Sequence, residues 1–121
     1  CIAAVPEVEW IIQCNEETKP LWEALVADSP PANMSLLHDA SCGKGIKLSV
    51  DALPDLHPVV PCGYAGGIGP GNVAEVAAAV AAKVGDRPTW IDMESSLRAM
   101  RDGEDVFSVH KAFVCLENAL P

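Results

Sequence analysis

Apolar residues along this chain gather into short runs that end in polar residues or glycine, and stretches of helical spacing stand between them. VEWIIQCN (8–15) is an apolar run closing on polar residues, the pattern of a buried strand. EETKPLWEALVADSPP follows, with Thr18 as N-cap, Pro20 in the first turn, Leu21, Trp22, Leu25 and Val26 on one side, and Pro30-Pro31 as a stop. That arrangement predicts a helix. NMSLLHDAS (33–41) is a second strand, in which Leu36 and Leu37 run into His38 and Asp39. CGKGIKLSVDALPDLHPVVP mixes glycine, proline and polar residues and predicts a long loop with at most a short helix near 50–53. VVPCGYAGGI (59–68) is a third strand that ends in glycines. Asn72 then stands as the N-cap of VAEVAAAVAAKVG, with Glu75 as its capping-box partner and Gly85 at the stop. Val73, Val76, Val80 and Val84 fall on one stripe of that helix. PTWIDMESS (88–96) predicts a fourth strand, and DVFSVHKAFVCLENAL (105–120) a last helix capped by Asp105, with Val106, Val109, Phe113 and Leu116 inward.

The order β-α, β-loop, β-α, β-α predicts one α/β domain over residues 1–121, with parallel strands joined by right-handed crossovers. In such folds the loops at the C-terminal ends of the strands carry the chemistry. A chain of 121 residues is long enough for one core, and a composition 50% hydrophobic and 21% charged is that of a folded domain. A net charge of −9, with no run of Lys and Arg, argues against nucleic-acid and membrane partners. It leaves room for one phosphate held by main-chain N–H groups. Cys1, Cys14, Cys42, Cys62 and Cys115 are odd in number and scattered, without C-x-x-C, which reads as reduced thiols in a cytoplasmic protein. Neither they nor His57 and His110 show metal-ligand spacing, and no metal or cofactor is expected. No apolar stretch reaches membrane-spanning length, and no secretory signal pattern opens the chain. The chain begins on Cys1, as a processed product, a trimmed chain or the tail of a longer protein would.

AGGIGPGN (65–72) carries the most specific chemistry. Gly66 and Gly67, at a strand end before a helix, can bring backbone N–H groups to a phosphate with no Cβ in the way; the plainer reading is a tight turn. Four segments, taken in order, resemble phosphoribosylanthranilate isomerase, a (β/α)8-barrel family of tryptophan biosynthesis. IIQCNEE is similar to the family's V-Q-L-H-G-E-E, SLLHDASCGKGI to its L-L-D strand end and glycine-rich loop, YAGGIGPGNVAEV to its L-S-G-G-L-x-P-x-N-V, and WIDMESSLR to its V-D-V-S-S-G-V-E. All lie in the C-terminal half of the family's barrel.

The resemblance implies parallel (β/α) units forming half of a TIM-type barrel, about four strands, completed by oligomerisation. Open edges and one exposed apolar face make a lone half an unlikely monomer and a homodimer the ordinary solution. A different oligomer, or a sheet face covered by the 40–58 loop, would also serve. The resemblance further implies a phosphate site built from Gly66, Gly67, Ser95 and Ser96, for a phosphorylated small molecule. Asp39 would be the general acid of an Amadori rearrangement, protonating the ribose ring oxygen; His38 is the alternative by register. Lys44 is a candidate for reaching an anion across the loop mouth. The family's K-I-C-G strand, which bears the general base, has no counterpart, and Glu94 stands where the family has serine. The expected function is an isomerase-like half-barrel with a phosphate-binding strand-end loop and without the full catalytic machinery. The alternatives are a non-catalytic binding module for phosphates or sugar phosphates, and a structural fragment of a longer isomerase.

Overall fold

The computed structural model describes residues 2–39, 41 and 47–120. Four parallel strands form the sheet: β1 (Trp10–Cys14), β2 (Met34–Asp39), β3 (Cys62–Ala65) and β4 (Thr89–Ile91). They lie side by side in chain order, with β1 and β4 at the edges. Helix α1 (Lys19–Val26) links the first pair and α2 (Val73–Val84) the last. The described part of the middle connection carries a 3-10 turn, Val50–Ala52, and no α-helix, in line with the glycine, proline and polar content of that stretch. No described helix is long and apolar enough to cross a membrane.

Strand side chains alternate between two faces. Cys14 pairs with His38, Leu36 with Cys62, and Tyr64 with Ile91, so these residues share one face with Ile12 and Met34. Both hydrophobic clusters take their strand residues from that face alone. One joins Cys14, Met34, Leu36 and Cys62 to Trp22, Leu25 and Val26 of α1; the other joins Tyr64 and Ile91 to the valine stripe of α2. Ile11, Gln13, Leu37, Asp39, Gly63, Ala65 and Trp90 alternate onto the opposite face, and none belongs to either cluster. Gly63 is required there: a Cβ would stand 2.2 Å from the Trp90 ring, which lies across it.

The end of the chain departs from the expected strand and single helix. Asp105 does not cap a helix. It lies in a hairpin formed by β5 (Arg98–Arg101) and β6 (Glu104–Phe107), whose turn places Asp102 at φ 53° and Gly103 at φ 86°. Two positive φ values in an Asp-Gly pair match the right-handed twist of a tight hairpin. The last helix, α3, runs Val109–Ala119 with Ser108 as its N-cap, whose Oγ accepts from Lys111 N at 3.3 Å. Its inward residues are Ala112, Cys115 and Ala119, packed in the cluster of the α2 valines. Val109, Phe113 and Leu116, expected inside, are exposed, as are Met100, Phe107 and Leu120 nearby. Small side chains let α3 approach α2 closely, and the larger apolar stripe is turned from the core.

Candidate functional site at the strand ends

The chain leaves β3 through two glycines in conformations that L side chains rarely adopt, Gly66 at φ 118° and Gly67 at φ 59°. The following loop is tied by Asn72. Its Oδ1 accepts from Gly69 N at 2.8 Å and its Nδ2 donates to Gly67 O at 3.2 Å. The expected capping box is therefore absent: the Asn72 side chain is spent on the loop and makes no cap hydrogen bond to α2. The N–H groups of Ala74 and Glu75, in the first turn of a twelve-residue helix, keep their donor capacity and the positive end of the helix dipole.

Two side chains close on this loop where a glycine makes room. Lys47 lies over Gly67, where an added Cβ would meet Lys47 Cγ at 3.0 Å. Leu48 N donates to Gly66 O at 3.0 Å and holds the lysine segment against the strand end. Ser96 presses on Gly69, where a Cβ would stand 2.5 Å from Ser96 Cβ and 3.2 Å from its Oγ. Ser96 sits in the 3-10 turn Ser95–Leu97, anchored by buried Leu97 and by Ser108 N donating to Leu97 O at 2.8 Å. Lys47, Gly67, Gly69, Pro70, Gly71, Asn72 and Ser96 line a cavity of about 250 Å³ with no carboxylate in its wall.

A second, narrower pocket adjoins it across Gly67 and Ser96. All five residues expected at the site, Asp39, Gly66, Gly67, Ser95 and Ser96, line this pocket, together with Ser41, Asp92 and Glu94. Asp39 comes from the face that the helices leave uncovered. Its Oδ2 accepts from Gln13 Nε2 at 2.5 Å and its Oδ1 from Ser41 N at 2.9 Å. Asp92 is placed by its own N–H, which donates to Tyr64 O at 2.9 Å and extends the β3–β4 ladder. Three carboxylates make this half of the site repel an anion and accept hydrogen bonds from hydroxyl groups. Among the described residues no group of three potential ligands is placed to hold a metal ion. Lys44 lies outside the described residues. Lys47, three positions on, stands at the glycine loop; two lysines in GKGIKL were the only sequence signal for it.

His38 faces the helix layer, opposite to Asp39, so the register at this strand end places Asp39 and not His38 on the uncovered face. Its ring lies 5.6 Å from that of Tyr64, and Nε2 is buried without a partner. Burial, helped by the positive charge of Lys83, lowers its pKa from the ordinary 6.5. A cavity of about 400 Å³ lies beside it, bounded by Cys14, Trp22, Leu48 and Pro54 together with the charged Glu16, Lys19, Glu23, Asp39 and Asp55. It lies beside the described part of the middle connection, and its walls are mainly apolar. The cationic and glycine-bounded pocket is the one suited to an anion. Cys14, Cys62 and Cys115 are free and buried, and burial raises all three thiols, that of Cys14 to about 11.

No protein-family model matches this chain, and no curated protein or solved structure matches it.

Proposed function

We propose that this chain binds a sugar phosphate at the ends of β3 and β4, as a half-barrel similar to phosphoribosylanthranilate isomerase. The observation that carries the reading is the polarity of the two adjoining pockets. One offers Lys47, the Ser96 hydroxyl and the uncapped first turn of α2; the other, sharing Gly67 and Ser96, offers Asp39, Asp92 and Glu94. A phosphate fits the first by charge, and the hydroxyls of an attached sugar fit the second as donors to carboxylates. A phosphate placed wholly among the carboxylates would be repelled, so the anion belongs on the Lys47 side.

The barrel reading is supported by the chain-order sheet and by strand-face clusters confined to one side. Right-handed crossovers between successive neighbours put every connection on the same face, whereas a doubly wound sheet reverses its order and uses both. Oligomerisation would close the sheet. Asp39 is the one acid–base group that matches the family's catalytic pair. Its two oxygens accept hydrogen bonds from Gln13 and Ser41, and the family's second acid–base group has no counterpart among the described residues. That favours binding without full catalysis.

Thermal unfolding with ribose 5-phosphate, ribose and inorganic phosphate tests the reading. Ribose 5-phosphate at a hundredfold excess over its dissociation constant adds about 2.7 kcal/mol, roughly 10 °C in Tm. Lys47→Met should weaken that binding about tenfold or more by removing a charge-assisted bond, while leaving the unliganded Tm in place. No shift at millimolar ligand rejects the site. Turnover of phosphoribosylanthranilate by wild type and Asp39→Asn separates enzyme from binder, and equal rates remove Asp39 from any mechanism.

A further inference from the structure

We propose that the exposed stripe of α3 is the seat of a second copy of this chain, which brings its β1 edge alongside β4. The inference rests on the barrel-segment reading above, because it takes the two open edges of the sheet to pair with each other. Each edge is flanked by apolar side chains that stand exposed among the described residues. Beyond β4, Val109, Phe113 and Leu116 form one helical stripe at 74%, 57% and 61% exposure. At β1, Trp10 and Ile11 point to opposite faces of the strand at 38% and 56% exposure.

In a succession of β-α units, each helix lies over the groove between its own strand and the next. Here α3 follows β4, and among the described residues no strand of the sheet stands beyond β4. Ala112, Cys115 and Ala119 attach α3 to the α2 cluster, which leaves its large apolar residues for the neighbour of β4. A second copy related by a two-fold axis along the strands supplies that neighbour. Its Trp10, on the helix side of β1, meets the α3 stripe, and its Ile11 joins the uncovered face. The same contact recurs in reverse, so both edges of both copies are satisfied at once.

The area is of the right order. An aromatic side chain buries roughly 150–250 Å² and an aliphatic one somewhat less, so at the exposures given each contributes on the order of 100 Å² or a little under. Trp10, Ile11, Met100, Phe107, Leu120 and the three residues of the α3 stripe, eight exposed residues in all, then offer on the order of 700–800 Å² per copy, close to the roughly 800 Å² per partner of a stable interface. A foreign strand could cover one edge, but self-pairing uses both apolar surfaces with a single geometry.

The test is sedimentation equilibrium at micromolar concentration on wild type, Phe113→Glu, Trp10→Lys and a mixture of the two variants. Wild type should be a dimer. Each variant should dissociate, its dimer constant weakened about 30-fold or more, as expected for loss of a central aromatic contact. The mixture should re-form dimers, because one of its two contacts is native and the other sets glutamate against lysine. Far-UV circular dichroism follows folding in parallel; a variant that unfolds alone and regains structure in the mixture supports the same pairing. A folded wild-type monomer, variants that remain dimeric, or a mixture that is not rescued each overturns the proposal. These outcomes are independent of ligand binding: a dimer that ignores ribose 5-phosphate rejects the phosphate site, and a monomer that binds it rejects only the interface.

Discussion

Replacing Gly69 with alanine isolates the contact that shapes the anion pocket. The Cβ would stand 2.5 Å from Ser96 Cβ and 3.2 Å from its Oγ, whereas unstrained carbon contacts lie near 3.5–4.0 Å. Ser96 or the glycine loop must therefore yield by about 1 Å. Gly69 does not occupy the positive-φ region, so backbone strain adds nothing and the effect is steric. Overpacking of this kind costs about 1–3 kcal/mol, offset by roughly 0.4–1 kcal/mol from the reduced freedom of the unfolded chain. A net loss of about 1–2 kcal/mol is expected, or some 3–8 °C in Tm for a domain of this size. Ser96→Gly removes the opposing Cβ, so the double variant should recover most of that loss. Urea unfolding of the four proteins in the cycle gives the coupling energy directly, expected at about 1 kcal/mol or more. Losses that add to within about 0.3 kcal/mol would show that Gly69 and Ser96 do not touch, and would refute the packing on which the pocket depends.

Two further consequences concern the core. His38 has its pKa lowered by burial and by Lys83, so between its folded value and the ordinary 6.5 the unfolded chain binds the extra proton. Its contribution is present above 6.5 and lost as pH falls through the folded value; His38→Gln should flatten the urea midpoint against pH in that window, and parallel curves contradict it. Val76→Ala, in the buried stripe of α2, should cost about 2 kcal/mol in urea unfolding through lost burial and a residual cavity, and a cost below about 0.5 kcal/mol would place that stripe outside the core.

The strands, α1, α2 and the long loop were legible because each has an uncontested local signal. The four valines of α2 are the clearest case, since no other apolar stripe competes for the same face. The last helix was misread because two stripes are available on it. Val109, Phe113 and Leu116 look like core by size, yet Ala112, Cys115 and Ala119 face α2, where close approach requires small residues. Asp102-Gly103 carries a hairpin signal between the predicted fourth strand and last helix, in a stretch given no element from the sequence. At the site, the residues expected to converge do line one pocket. Two features depended on tertiary structure and could not be read from spacing. Strand pairing, not local sequence, turns His38 and Asp39 to opposite faces, and the 47–48 segment reaches the glycine loop only through the Leu48 N to Gly66 O bond.

In the proposed site an anion sits between Lys47, Ser96 and the first turn of α2, with its sugar toward Asp39. Backbone amide chemical shifts during titration with ribose 5-phosphate test it residue by residue. The largest changes are predicted at Gly67, Gly71, Ala74 and Glu75, saturating together, with ribose alone leaving those four unmoved. Saturable shifts confined to other parts of the chain, or none at millimolar ribose 5-phosphate, would contradict it.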